Sequence, residues 1–319
     1  MQNITINWLG SLLMTALLTT SQLALADSRQ VVNESRSVSA NEKIYIEVMS
    51  GEITIKAVSD NTFRVSGKLD EKATGYEFDG KDGFSRFEMT MPRRVNYDGK
   101  QKVNAAQLQI DVPVGSHIEF KGVNSNVSVS GVYGSSDINT VNGQISASDL
   151  RNSISLSTVN GDIKVNGASG KVELNSVNGE INDADSIGRL SYEVVNGKIN
   201  AKSQAEEVSI STVNGQAKLE LTGTKVLKLS TVNGNIDATL AGATSPQING
   251  SSVSGDIELK LASNSDIRVD LHASAGGKLD NKLSSDQAVK AKYGPARSLQ
   301  FTLGSGEGSV ELSTVSGDI

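Results

Sequence analysis

Aligned on its recurring glycines, the chain repeats one hydrophobic pattern along most of its length. From Gly143 to Gly215 the glycines stand 18 residues apart, and the next gaps, to Gly234 and Gly255, are 19 and 21. Five residues before the glycine come Phe120, Ile138, Leu156, Leu174, Tyr192, Ile210, Leu229 and Leu312, with Gly250 as the exception. Seven before it are Ile118, Ile154, Val172, Leu190, Val208, Leu227, Ile248 and Val310, with Ser136 in one copy. Two before it is valine in every copy from Val123 to Val315. Two after it the column is Val127, Ile145, Ile163, Ile181, Ile199, Ala217, Ile236, Ile257 and Ile319. Four after it stand Val129, Ala147, Val165, Asp183, Ala201, Leu219, Ala238 and Leu259. Apolar spacing of two with β-branched residues predicts strands, and the recurrent glycines argue further against helix. These columns are expected to point inward, the intervening Ser, Lys, Glu, Asp and Asn outward.

A fixed period with turn residues at a fixed phase predicts a solenoid. The predicted fold class is therefore all-β: a single-stranded parallel β-helix, or β-solenoid, with 18-residue coils of two or three short strands and N-terminal capping strands. Residues 1–26 read as a signal peptide: they carry no charged side chain, hold an apolar run too short to span a bilayer, and end on Ala24-Leu25-Ala26. Residues 27–43 read as a polar lead-in, and 44–319 as a single β-solenoid domain. Ile44 to Ile55 is a diverged copy of the repeat. The period lapses twice, over about 70–105 and 263–308. Within the second lapse, Ile267 to Leu271 and Ser298 to Leu303 read as strands, with a polar excursion from Ala273 to Pro295 between them.

Composition narrows the classes. Aromatics are 4% of the chain, which suits a thin aliphatic core. With no cysteine, thiolate metal sites, cysteine nucleophiles and disulfides are excluded. A net charge of −6 with interspersed signs argues against a nucleic-acid partner. No stretch after the signal is apolar enough to be a transmembrane segment of the mature chain. The expected location is exported: periplasmic or at the cell surface.

The stretch Leu108-Gln109-Ile110-Asp111-Val112-Pro113-Val114-Gly115, the serial V-N-G-x-I elements and the closing run Gly304 to Ile319 resemble the bacterial "putative adhesin" family of β-strand repeat proteins, a domain of unknown function akin to the head-GIN type. The resemblance spans roughly Ile44 to Ile319. It implies an exported, non-catalytic, right-handed β-solenoid, and it brings no catalytic motif to transfer.

Several residue sets bear on chemistry. Asn124, Asn142, Asn160, Asn178, Asn196, Asn214 and Asn233 precede the glycine position in successive copies. They read as a structural ladder, suited to a positive-φ turn and to amide stacking, rather than as a repetitive ligand site. The Thr and Ser column (Thr140, Thr158, Ser176, Thr212, Thr231, Ser252) raises an ice-binding face, but its outward neighbours, among them Glu173, Glu193 and Lys228, are too mixed. His117 and His272 are far apart, so no His-metal cluster or Ser-His-Asp group is visible. Asp162 and Glu180 would be neighbours on adjacent coils, with Lys164 and Lys198 near enough to neutralise them. Asp79 to Gly83 lacks the ligand spacing of a calcium loop. The aperiodic 70–105 segment concentrates aromatics beside Arg and Asp. Tyr76, Phe78, Phe84, Arg86, Arg93, Arg94 and Tyr97 are its candidate interaction surface, the alternative being a cap on the open end of the solenoid.

The expected role is a non-catalytic structural or interaction protein, adhesin-like, of the bacterial cell envelope, with no cofactor. Its partner would be an envelope protein or a surface polysaccharide, and the free edge at Ile319 offers a route to a homo-oligomer. One alternative is a β-helix carbohydrate-active enzyme of lyase or hydrolase type. Another is an envelope-stress accessory with a membrane-protein partner.

Overall fold

The computed structural model describes residues 29–93 and 104–319, and the signal-like segment lies outside them. The described residues form β1 (Val31–Ser37), β2 (Lys43–Val58), β3 (Thr62–Lys68), β4 (Gly75–Lys81), β5 (Phe84–Thr90), β6 (Ala106–Pro113) and β7 (His117–Ser130). The array continues as β8 (Ser136–Asn142), β9 (Ile145–Ser148), β10 (Arg151–Asn160), β11 (Ile163–Asn166), β12 (Ser169–Ser203) and β13 (Glu207–Thr222). It ends with β14 (Val226–Thr231), β15 (Asn235–Ala241), β16 (Gln247–Ser252), β17 (Ile257–Lys260), β18 (Ile267–Ala273), β19 (Val289–Lys290), β20 (Arg297–Leu303) and β21 (Gly308–Thr314). The chain is a parallel β-solenoid, as its period requires.

Pairing is in register with the repeat. Leu156 sits beside Ile138 on one side and Leu174 on the other, and Asn160 sits between Asn142 and Asn178. One ladder, through β7, β8, β10, β12, β13, β14 and β16, carries the residues before each glycine. A second, through β7, β9, β11, β12, β13, β15 and β17, carries those after it. Their inner faces meet in one core that includes Ile138, Leu156, Leu174, Ile145, Ile163 and Ile181. A third buried column, Leu150, Ala168, Ser186 and Ala205, closes the corner where the chain returns to the first ladder.

One column faces the opposite way from expectation. The valines two before each glycine lie outside: Val123, Val141, Val159, Val177, Val213, Val232, Val253 and Val315 are each 36–44% exposed. The Thr and Ser column one residue earlier is inside, with Thr140, Thr158, Ser176, Thr212 and Thr231 at 3–5%. Alternation explains the exchange. Positions seven, five and three before the glycine share one face of a strand, and the corner then turns the next two residues outward. The buried hydroxyls are used locally: Thr158 Oγ1 donates to Gly143 O at 3.1 Å and Ser176 Oγ to Gly161 O at 3.1 Å. An ice-binding face on that column is ruled out by its burial.

The glycines answer to a different requirement from a positive-φ turn. Gly143, Gly161, Gly179, Gly197 and Gly255 are absent from the positive-φ positions. Instead a Cβ at Gly161, Gly179 or Gly255 would fall 1.8–2.0 Å from the carbonyl oxygen of the glycine one coil earlier. The column is glycine because adjacent backbones touch there.

Both ends differ from the sequence reading. The lead-in contains a strand, since β1 pairs antiparallel with β3, which pairs antiparallel with β6. Strand β6 in turn runs beside the second half of β2, while the β4–β5 hairpin covers its first half. At the other end, spatial order departs from chain order. Strand β21 lies between β16 and β18, parallel to both. The stretch expected as a polar excursion starts as a further coil: Gly277 packs on Gly317, Leu279 is buried, and Asp280 N donates to Ile319 O at 2.7 Å. The edge at Ile319 is therefore covered.

Candidate functional site

The outer side of the second ladder is built from positions three and five after each glycine, which alternation turns away from the core. Small residues occupy most of these positions over the middle coils: Ser128, Ser146, Asn182 and Asn200 in one column, Ser130, Ser148, Asn166 and Ala184 in the next. Their low relief leaves an open trough of about 870 Å³ along the solenoid axis. Lys164, Lys202 and Lys218 stand in its lining. A second depression of about 480 Å³ shares Asn200 and Lys218 with it and adds Lys198.

Charge in the trough is not balanced by local pairing. Among the described residues none of these four lysines has a carboxylate within 4.0 Å. The neighbouring acids are engaged elsewhere. Asp162 Oδ1 accepts the backbone N–H of Glu180 at 2.9 Å, and Glu180 accepts from the Asn200 amide, so the neutralisation by Lys164 and Lys198 expected from sequence is not what occurs. Glu52 accepts from Asn126 Nδ2 at 2.7 Å. Asp183, although it borders the trough, points into the core. Its carboxylate accepts from Ser186 Oγ and Tyr192 Oη, both at 2.5 Å, and burial raises its pKa. That leaves Glu220 as the outward carboxylate of the larger trough, against three lysines. Towards the C-terminal end the sign reverses: Lys260 is held by Asp237 and Glu258, each at 3.1 Å, and its pKa is raised by hydrogen bonds first to Glu258 and then to Asp237.

The asparagine column forms a continuous chain of amide hydrogen bonds. Asn142, Asn160, Asn178, Asn196, Asn214 and Asn233 each donate from Nδ2 to the Oδ1 of the preceding member, starting at Asn124, over 2.8–3.0 Å. The residues expected to form a surface at 70–105 divide. Tyr76 and Phe78 are half-buried against the core, Tyr76 5.7 Å from Phe87 and Phe78 5.1 Å from Phe63 between ring centroids. Tyr76 Oη also donates to Glu34 at 2.7 Å. Phe84 is exposed, and Arg86 is bound by Glu77 at 2.6 Å and Asp79 at 2.8 Å. Arg93 lies at the surface, while Arg94 and Tyr97 fall outside the described residues. The structure thus gives Tyr76 and Phe78 to the cap.

His117 Nδ1 accepts the backbone N–H of Ser135 at 3.2 Å and sits 2.9 Å from Ser135 Oγ. His272 lies at the far end beside Asp270 and Glu311, in a shallow depression of about 580 Å³ on the first ladder. Among the described residues no cluster of three or more His, Asp or Glu is arranged to hold a metal. Lys202 and Lys218 were missed from sequence, and Lys164 and Lys198 were read only as neutralising Asp162 and Glu180, because nothing local distinguishes them from other outward lysines; their common face appears only once the +3 and +5 columns are stacked.

A match to the Toastrack DUF4097 family spans residues 41–319. The chain belongs to that family. The matched Toastrack region includes both ladders and the C-terminal cap. Several solved structures align with it. One is described as a putative adhesin from Bacteroides fragilis NCTC 9343, with 14% identity, 74% of this chain and 98% of the other covered, and a TM-score of 0.45. Another is a putative cell adhesion protein from Clostridium sporogenes ATCC 15579, with 12% identity, 91% and 98% covered, and a TM-score of 0.22. A putative lipid binding protein from Parabacteroides distasonis ATCC 8503 has 12% identity, 72% and 97% covered, and a TM-score of 0.34. At these values the likenesses carry no argument about ligands. No curated protein matches the chain.

Proposed function

We propose that this Toastrack chain is a non-catalytic, adhesin-like interaction protein, exported to the bacterial cell envelope, that holds an acidic surface polysaccharide along its second face. The observation that supports this most is the trough: three lysines with no carboxylate within 4.0 Å, over a floor of Ser and Asn, repeated along a parallel ladder. Coils recur every ~4.8 Å, so such a floor offers hydroxyl and amide groups in a regular row to an extended chain. Lysine ammonium groups on flexible stems suit carboxylates whose spacing does not match the coils.

Titration calorimetry with a polyuronate and with a neutral glucan tests the reading. Binding of the polyuronate alone, weakened at least about tenfold by Lys164→Glu with Lys218→Glu and by added salt, is expected from charge reversal at partly screened sites. Equal binding of both polymers, or none, removes the acidic polysaccharide as partner. Release of new sugar ends during incubation would replace the binding role with the enzymatic one, and fractionation of cells tests export.

A further inference from the structure

Among the described residues the exposed valines form the longest apolar feature on the surface. In spatial order they are Val123, Val141, Val159, Val177, Val195, Val213, Val232, Val253 and Val315, one per coil, the last reached because β21 follows β16 in the ladder. Eight of the nine are at least 36% exposed, and Val195 is half-buried. The asparagine ladder runs directly beside them, itself exposed and uncharged. Nothing charged interrupts either column from Val123 to Ser316. The result is a neutral, aliphatic ridge with an amide rim in a chain of net charge −6.

We propose that this ridge seats the same ridge of a second copy of the chain, making a side-by-side dimer. Three features select that occupant. First, valines at coil spacing are matched along their whole length by a surface with the same repeat, which a second copy supplies. Second, two acidic molecules repel each other over most of their surfaces, and this column pair lets them meet without opposing charges. Third, the area suffices: valines and asparagines exposing roughly 60–70 Å² apiece present on the order of 1,000 Å², against about 800 Å² per partner in a standard interface. A lipid surface fits less well, because interfacial anchors flank their apolar face with Lys and Arg and here the flank is asparagine. An antiparallel two-fold passing near Val195, the middle of the nine, sets Val123 against the partner's Val315. A two-fold along the solenoid axis sets each valine against its own counterpart. The inference is independent of the trough, which lies on the second face.

Sedimentation velocity on the purified protein provides the test. Wild type is expected to dimerise, and Val159→Lys with Val213→Lys to raise the dissociation constant at least about 100-fold by placing like charges in the contact. Both positions are exposed, so an unchanged far-ultraviolet circular dichroism spectrum and a cooperative melt, lowered only by the lost dimer contact, verify that the variant folds. The natural chain has no cysteine, so Val195→Cys should oxidise to a covalent dimer under either two-fold. Val123→Cys should do so only in the second arrangement. A wild type that stays monomeric at about 100 µM, a weak concentration for a specific complex, overturns the proposal. So does a double-lysine variant that dimerises like wild type. Flotation of a monomeric wild type with neutral phosphatidylcholine vesicles, abolished by the two lysines, would assign the ridge to lipid instead.

Discussion

Gly179→Ala is the perturbation that most directly probes the stacking of coils. Gly179 has no positive φ, so the new methyl introduces no backbone strain of the left-handed kind. Its cost comes from position alone. The added Cβ would lie 1.9 Å from Gly161 O and 2.6 Å from Gly161 C, both backbone atoms of the preceding coil. An ordinary contact needs about 3.4 Å or more, so adjacent coils must part by more than an ångström at that corner or tilt. Overpacking against movable side chains costs about 1–3 kcal/mol. A rigid backbone neighbour places this substitution at the upper end or beyond, and it also strains the ladder bonds from Ile163 to Ile181 and from Thr158 to Ser176.

Gly167→Ala is the matched control. Gly167 has φ +70 and no heavy atom within 4 Å of where its new methyl would stand, so only left-handed strain, about 1–2 kcal/mol, applies. Urea unfolding followed by far-ultraviolet circular dichroism compares the two. Gly179→Ala should lower stability by about 3 kcal/mol or more, and Gly167→Ala by about 1. Because each coil contacts its neighbours alone, the first variant should also broaden the transition as the array divides at the weakened interface. A Gly179→Ala protein within about 0.5 kcal/mol of wild type, the range of neutral surface changes, would refute the claim that backbone contact fixes the glycine column.

Two further predictions concern the buried polar groups. Thr158→Val should destabilise by about 1 kcal/mol, because Oγ1 donates to Gly143 O and the substitution removes that part-buried hydrogen bond. Thr212→Val should be neutral or stabilising, since Thr212 Oγ1 is buried without a partner; thermal melts of the pair check the contrast. For Asp183, burial raises the pKa above the ordinary value of 3.8 against the opposing hydrogen bonds of Ser186 and Tyr192. The folded state then holds the proton more tightly than the unfolded chain. This contribution to stability is full below pH about 3.8 and is lost as pH rises through the elevated folded pKa. Asp183→Asn should remove that loss, so its melting temperature relative to wild type should rise from pH 4 to pH 7. A constant difference across that range would contradict the assignment.

Much of the fold could be read from spacing. The columns at seven and five before the glycine, and at two and four after it, gave the parallel register and most of the core. The exchange of the valine and threonine columns was not legible, because hydrophobicity suggested burial for valine while alternation from Leu156 required it for Thr158. Strand geometry prevailed, and the hydroxyl found its acceptor in the neighbouring turn. Strand β1 was hidden by its polar sequence: in Val31–Ser37 only Val32 is buried, so a one-sided edge strand reads as lead-in. The trough and the valine ridge were illegible for a different reason. Each is a set of residues 18 apart that becomes a surface only after stacking.

Spatial order at the C-terminal end shows what a periodic sequence leaves open. Identical coils can be exchanged in space without altering any column, so the pattern alone does not say that β21 lies inside β18. The connection does. Strand β18 leads through the 274–280 coil and β19 into β20, which folds back antiparallel on β18, and the chain then re-enters between β18 and β16. This puts the final repeat under a coil whose outer edge carries an antiparallel strand, with Lys290 and Arg297 where β19 meets β20. Charged, short and antiparallel edges discourage further pairing. The β4–β5 hairpin and the β1–β3–β6 strands do the same at the other end. Among the described residues both ends of the ladder are therefore covered in a way that disfavours end-to-end stacking of copies. The proposed self-association accordingly uses a lateral surface, the valine ridge, whose two columns carry no charge among the described residues.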